Sequence, residues 1–458
     1  MLSFLAQCHA CLAHNLGVHP RELANSICQT LEAHGHKALL VGGCVRDLLL
    51  HRDPADYDVT TDATPERVLQ LFPGSLGVGA QFGVILVPLD GAKVEVATFR
   101  SDVGYSDGRH PDRVVFSQSP EEDVARRDFT INGLLMRHDS AEVLDFVGGQ
   151  ADLKAGLVRA IGQPQQRFSE DKLRMLRGVR FAARFGYSIE PDTFAAIRKL
   201  APQIHSVSAE RIREELSKLL TEGSARRGFE LLDESGLLHE LLPEISAMNG
   251  VQQPPEYHPE GDVWIHTRMM LEGLPAGVSP TLAWGVLLHD VGKPPTFRSV
   301  AMTGDRIRFD NHVEIGVNMA VSICKRLHFS NSDTDEILAL VANHMKFKDV
   351  SQMRQSTLKR FVRLSNFPEH LELHRLDCLS SHGRLDAYNA VKTFLENTPS
   401  EQVRPNRLLT GDDLKDMGYV PGPDFQKILT ALEDAQLEGL VRTRVQAVAF
   451  VLKHYARN

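Results

Sequence analysis

The chain has 458 residues, 42% of them hydrophobic, and a formal net charge of −8 at pH 7. At roughly 150 residues per domain this suggests about three domains. The charge excludes binding to nucleic acid through a global positive field, so any RNA or DNA site must be a local basic patch. No apolar run reaches the roughly 18 residues of a membrane span.

The opening segment, "MLSFLAQCHACLAHNLG", lacks a basic stretch and a small-residue cleavage site, and reads as helix rather than signal peptide. Six cysteines are too few for a disulfide framework, which fits a reducing cytoplasm. Cys8, Cys11 and His14 form a C-x-x-C-x-x-H string with no evident fourth ligand, and the same spacing suits one face of a helix. Residues 1–36 are therefore expected as a helical extension.

"ALLVGG" (38–43) reads as a buried strand stopped by two glycines, and "CVRDLLLH" (44–51) as a helix. "DYDVTT" is a second strand, and "TPERVLQLF" (64–72) a helix with Thr64 as N-cap and Pro65 at its first position. "FGVILVPL" (82–89) and "KVEVATFR" (93–100) are strands around the turn "DGA" (90–92), and 101–120 reads as a polar loop. Residues 37–160 thus form a mixed α/β domain. Helical patterns follow: "SEDKLRMLRGVRFAARFG" (169–186) with a capping serine and a closing glycine, "SAERIREELSKLL" (208–220), and helices with His-rich junctions over 226–400. "TGDDLKDMGYVPGPDF" (410–425) is turn-rich and leads into a closing helix. The expected parts are 1–36, 37–160, 161–225, 226–400 and 401–458: an α/β domain followed by an all-α half, a multidomain α+β chain.

Asp56 and Asp58, at i and i+2, share a face of a strand. Two carboxylates this close repel unless a cation lies between them, and two oxygen ligands with room for substrate phosphates is how Mg²⁺ is usually held. An acidic surface turn is the alternative. Asp62 gains no role beyond a turn or helix-start acid. Gly42 and Gly43 allow close approach to a phosphate, the next helix offers free N–H groups to an anion, and Arg46 lies in its first turn. Glu95 is either a third carboxylate or a solvated strand residue. In "ARRDFTINGL" (125–134), Arg126 and Arg127 can clamp a triphosphate and Asp128 can bond a ribose hydroxyl, or all three form a plain salt-bridge cluster.

"GGCVRD", "DYDVTTD" and "ARRDFTINGL", in this order and spacing, resemble the class II tRNA nucleotidyltransferase and poly(A) polymerase family, whose catalytic domain is of the polymerase-β type. The resemblance implies Asp56 and Asp58 as catalytic Mg²⁺ ligands and nucleotide contacts at Gly43, Arg46 and Arg127.

On a helical projection of 169–186, Met175, Leu176, Val179, Ala182 and Ala183 fall on one side and Arg174, Arg177, Arg180 and Arg184 on the other. Four arginines without interleaved acids suit an RNA or triphosphate partner better than a solvated face. Asp171 and Arg174, three apart, are expected as neighbours on the helix. An aspartate accepting from an amino group and an arginine donating to a ring nitrogen would admit cytosine and adenine and reject guanine and uracil. This coincides with the family's E-D-x-x-R motif, here 170–174, which serves as a protein template; the resemblance adds a triphosphate contact for Arg177. "ERIREELSKLL" (210–220) resembles the next helical motif. "YSDGRHPDRVVF" (105–116) resembles the family's flexible loop, which favours an activity that includes A addition.

His266, His289, Asp290, His312, His344 and Asp377 occur in the order H…HD…H…H…D of an HD-type metal phosphohydrolase, as some CCA-adding enzymes carry, with helix-packing histidines as the plainer reading. Such a set suits a second divalent metal, Ni, Mn, Fe or Mg. The resemblance implies a cytoplasmic CCA tRNA nucleotidyltransferase acting on tRNA with CTP and ATP. The alternatives are a poly(A) or A-adding enzyme on the same scaffold, a chain that is mainly an HD phosphohydrolase, and a non-catalytic RNA chaperone. Oligomeric state is not legible.

Overall fold

The computed structural model describes residues 19–89, 92–105, 108 and 111–456. Cys8, Cys11, His14 and the turn at 90–91 lie outside the described residues. The chain divides into two compact units: residues to Leu219 with Arg227–Leu241, and Leu220–Arg226 with Leu242 onward.

The first unit is built on a seven-stranded mixed sheet of order β3-β4-β5-β2-β1-β8-β9. The strands are β1 (Ala38–Val41), β2 (Asp58–Thr61), β3 (Leu76–Gly79), β4 (Val84–Leu89), β5 (Ala92–Thr98), β8 (Leu134–Met136) and β9 (Val143–Asp145); β6 (Arg100–Val103) and β7 (Arg113–Phe116) pair separately. Every residue of β1 is buried, as expected of a central strand covered on both faces. The helix Pro20–Ala33 buries Leu23, Ile27 and Leu31, spaced four apart, and packs on β1, β2 and β5. Asp62, which gained no clear role from its sequence context, accepts the Lys37 N–H at 2.9 Å and so ties down the entry to β1. Thr64 caps the Pro65–Leu71 helix through the Arg67 N–H, as its sequence implies.

Three expectations are corrected here. The segment 101–120 is not a plain loop, because β6 and β7 form an antiparallel ribbon with Val103 opposite Arg113. The helix expected over 169–186 is two helices, Pro164–Glu170 and Leu173–Phe185, and Asp171 between them is extended at φ −149° and ψ 107°. The tail after 410 holds a short helix, Gly411–Asp416, with a Thr410/Asp413 capping box, and two closing helices, Pro423–Leu437 and Arg444–His454, rather than one. Gly186 does end its helix in the left-handed conformation, φ 68°.

The second unit is helical, with one two-stranded ribbon, Phe297–Arg298 against Arg308–Phe309. Gly292 is sterically required: a Cβ there would stand 2.1 Å from the His312 carbonyl oxygen and 2.6 Å from the Gly316 nitrogen. This close approach brings the turn after His289–Asp290 against the helix that starts at His312. No helix among the described residues is long and apolar enough to cross a membrane.

Candidate active site and metal centre

Sheet register assembles the first site. Asp58 opens β2, opposite Val41 of β1 and level with Glu95 on the parallel neighbour β5. Asp56 lies just before the strand, not in it, and is exposed. Burial, then Glu95 and Asp56, push the Asp58 carboxyl up to about 7, against the pull of Arg127. Three acids so arranged, Asp58 among them half-buried, call for a cation to offset their repulsion. The arrangement is open: among the described residues, the groups of three metal-ligating side chains whose donor atoms all lie within 4.8 Å are in the helical unit only.

Val41 leads directly into the glycine turn. Gly42, at φ 78° and ψ −127°, occupies a backbone region close to exclusive to glycine. Its N–H donates to the Leu134 carbonyl, and a Cβ on it would lie 3.5 Å from Arg127 Nη1. Gly43 begins the next helix. Arg46 is buried and engaged: Nη1 donates to Asn132 Oδ1 at 2.5 Å, Nη2 lies 2.8 Å from Asp47, and the guanidinium stacks 4.7 Å from the Phe185 ring. These contacts fix the guanidinium to Asn132 and Asp47.

Both arginines of the double-arginine motif converge on one acid that sequence reading passed over. Asp123, fully buried, accepts from Arg126 through Oδ1 (2.6 Å) and from Arg127 through Oδ2 (2.9 Å). Asp128 accepts two contacts at 2.8 Å from Arg177, one from Nε and one from Nη2. Its other oxygen accepts from the Phe129 N–H and from Asn132 Nδ2. The chain Arg46–Asn132–Asp128–Arg177 therefore joins the glycine turn to the 173–185 helix.

The open arginine face expected on that helix is not present. Acids from other elements supply the counter-charges that the helix lacks. Arg174 donates to Glu170 Oε2 at 2.7 Å, and Arg180 pairs with Glu215 at 2.7 Å with both side chains buried. Met175, Leu176, Val179, Ala182 and Ala183 form the apolar side as expected. Asp171 and Arg174 are not helix-surface partners: Asp171 lies outside the helix, caps the Leu173 N–H and accepts from Arg211 at 2.7 Å.

Burial alone would raise the Asp128 carboxyl; Arg177 and Asn132 instead hold it at about 2. Because this lies below the unfolded value of about 3.9, the stabilisation is full above that pH and fades as pH falls through 2. Asp128→Asn should cost about 2 kcal/mol of unfolding free energy at pH 7. Urea melts should show the difference from the parent shrinking below pH 4; a constant difference would mean the ionised pair is not its source.

The second site gathers the whole histidine series. Nδ1 of His289, His312 and His344 each sits 2.7–2.9 Å from the carbonyl oxygen three residues earlier, on Val286, Phe309 and Val341. Such a bond places the proton on Nδ1 and leaves the Nε2 lone pair free. All three Nε2 atoms are buried without a hydrogen-bond partner. They converge on Asp290, at 3.0 Å for His289, 3.7 Å for His344 and 3.9 Å for His312. His266, fully buried, brings Nε2 to 3.2 Å from Asp377. Within the series two three-residue groups result, His266–His289–Asp377 and Asp290–His312–His344, and His266 forms a third with His258 and Glu260. Burial, only partly opposed by Asp290, lowers His344 to about 4, so its imidazole is neutral at pH 7. Buried, orphaned imidazole nitrogens around two carboxylates fit divalent metal ligation, and helix packing alone leaves them unexplained. Residues outside the series also take part: Lys293 Nζ lies 2.7 Å from Asp290 Oδ2, and Glu260 touches His266. A cleft of about 580 Å³ opens over His312, His344 and Asp377, with Lys293, Arg306, Arg308 and Lys348 among its walls.

Fold and sites define a nucleotidyltransferase-type head joined to an HD-type helical half. Residues 38–159 match the Poly A polymerase head domain, 186–248 the probable RNA and SrmB-binding site of polymerase A, and 262–366 the HD domain. In these segments the chain is similar to the tRNA nucleotidyltransferase and poly(A) polymerase family. It is 45% identical over 208 residues to the CCA-adding enzyme of Leuconostoc mesenteroides, covering 45% of this chain and 52% of that one. It is 42% identical over 218 residues to that of a Geobacillus species, covering 48% and 54%. The chain thus spans about half the length of the curated relatives it matches. The solved Bacillus stearothermophilus CCA-adding enzyme in complex with CTP superposes with a TM-score of 0.72 at 26% identity, over 95% of this chain and 98% of that one.

Proposed function

We propose that the protein is a cytoplasmic nucleotidyltransferase that adds C, C and A to the 3′ end of tRNA from CTP and ATP without a nucleic-acid template. The observation that carries this reading is the placement of Asp58 and Glu95 in register, with Asp56 and Arg127 beside them and the Asp171 and Arg174 motif in the same unit. Likeness to CCA-adding enzymes, one of them solved with CTP, supports it. Asp56 and Asp58 would hold Mg²⁺, which neutralises phosphate charge and lowers the barrier to attack by the tRNA 3′-hydroxyl on the α-phosphate. Gly43 lets the main chain come close to the phosphates. Arg46, Arg127 and Arg177 supply positive charge to the triphosphate, Asp128 orients Arg177 and faces the ribose, and Asp171 and Arg174 read the base. Incubating tRNA that ends before CCA with CTP alone, ATP alone and both should give CC, no extension and CCA. Growth beyond three nucleotides, or no C addition while a tRNA already ending in CC is still extended by A, would sink this reading in favour of a poly(A) or A-adding enzyme.

The orphaned Nε2 atoms favour a second function in the helical unit. His266, His289, Asp290, His312, His344 and Asp377 would bind divalent metal for phosphoester hydrolysis. The cationic walls of the cleft suit an anionic phosphorylated substrate.

A further inference from the structure

The loop ahead of the Val263–Glu272 helix carries two residues outside the H…HD…H…H…D series. Gln252 pairs with Asp262, and the Gln253 N–H bonds the Gly261 carbonyl at 2.9 Å, closing 254–261 into a loop. That closure sets His258 and Glu260 against His266. Glu260 Oε1 lies 2.8 Å from Nδ1 of His258 and 2.8 Å from Nδ1 of His266. The Glu260 side chain is only 5% exposed, and its other oxygen, Oε2, is buried with no partner.

Distances separate two kinds of contact. Donor atoms around a tetrahedral ion with bonds of about 2.0–2.1 Å stand roughly 3.3 Å apart. The His266–Asp377 approach of 3.2 Å and the His344–Asp290 approach of 3.7 Å suit ligands sharing an ion. Both Glu260 contacts, at 2.8 Å, are of hydrogen-bond length instead. The His258 contact also meets the angular requirement. Nδ1 of His266 is at the distance but does not meet the angle.

His266 also differs from the other three imidazoles in what lies behind it. Theirs rest on the carbonyl three residues back. For His266 that carbonyl belongs to Val263, and it already accepts from Thr267 Oγ1 at 2.9 Å. A side chain must then do the work that main chain does elsewhere.

We propose that Glu260 is a positioning residue of the metal centre: its carboxylate accepts the Nδ1–H of His266 and so aims the Nε2 lone pair at the ion. His258 is the second donor and holds Glu260 in place. The inference rests on the metal reading of the His–Asp cluster. Carboxylates behind ligating imidazoles generally matter ten- to a hundred-fold in metal affinity.

The test uses the full chain, stripped by chelator and titrated with Co²⁺. Glu260→Gln should keep the parent's metal stoichiometry, weaken affinity about ten- to a hundred-fold and shift the Co²⁺ visible spectrum, since the tautomer and angle of His266 change. tRNA extension and the thermal midpoint serve as folding checks and should stay at parent values. If that variant does not fold, His258→Gln, which only frees Glu260, should move affinity and spectrum in the same direction by less. Parent-like affinity and spectrum in a folded Glu260 variant would overturn the proposal. So would loss of one whole Co²⁺ equivalent with the rest bound as tightly as before, because Glu260 would then be a ligand. A parent protein that takes up no Co²⁺ overturns the metal reading itself, and the role of Glu260 with it.

Discussion

Alanine at both Asp56 and Asp58 should reduce tRNA extension by at least about a thousand-fold while the protein stays folded. Removing a single group that stabilises developing charge costs about a hundred- to a thousand-fold in rate, and in the proposed reaction this pair would hold the ion that supports phosphoryl transfer. Structural damage should be small. Asp56 is exposed, and Asp58 is a carboxyl whose ionised form is disfavoured by burial and by its acidic neighbours. Losing it removes repulsion rather than a supporting bond. His289→Ala with Asp290→Ala is the contrasting pair and should leave extension near the parent rate while abolishing divalent-metal uptake by the helical unit. Single-turnover extension and circular dichroism read the outcome. Extension surviving in the Asp56/Asp58 variant, or lost in the His289/Asp290 variant, would shift the chemistry to the HD site or to a purely RNA-binding role.

Asp171→Ala should erode the choice of base more than the rate of transfer. A site built to hydrogen-bond a substrate discriminates because the wrong partner leaves a buried polar group unpaired. With the aspartate gone, uracil no longer faces acceptor against acceptor, and the CTP-to-UTP ratio of kcat/KM should fall by about a hundred-fold or more. Arg174→Ala should lower use of CTP and ATP together, because it removes the donor to the ring nitrogen that both share. In this structure Asp171 is held by Arg211 and Arg174 by Glu170, so reading a base requires both bonds to be exchanged. Unchanged CTP-to-UTP selectivity in Asp171→Ala would remove the residue from base recognition.

The parts of the molecule that sequence makes legible share a physical trait: their signal is local. A strand that ends in Gly-Gly, Thr64 before Pro65 and Gly186 after an apolar stripe each announce a terminus through backbone conformation. The Asp58–Glu95 neighbourhood follows from strand character alone once the two strands pair. What stayed hidden depends on distant partners. Nothing in "SEDKLR" breaks a helix, with no glycine or proline; Asp171 leaves helical geometry where Arg211, forty residues on, binds it. β6 and β7 escape notice because "RSDV" and "RVVF" are short and form a ribbon apart from the main sheet. Asp123 reads as one acid among three at a helix start, and only the fold buries it beneath two arginines. Glu260 is one acid within "HPEGDVWIHT" (258–267), and only the loop closure sets it against His266. The histidines are legible as a set because imidazoles in such a run are rare, while His289, His312 and His344 are aimed by carbonyls that any residue could supply.

The arrangement at Asp123 has a consequence for ionic strength. Arg126 and Arg127 share the buried Asp123, and Asp102 lies between Arg126 and Arg100, so three guanidiniums against two carboxylates leave one unit of positive charge in a chain whose formal net charge is −8. That charge is largely shielded from water: the Arg126 and Arg127 side chains are 19% and 20% exposed. Mobile ions screen exposed charges over roughly 10 Å at 0.1 M salt but act much less on partly buried ones. If the cluster holds a nucleotide triphosphate as proposed, added salt should therefore barely loosen it. A polynucleotide backbone held from the surface would be released steeply over the same range. One chain would then keep its small substrate while letting go of its large one.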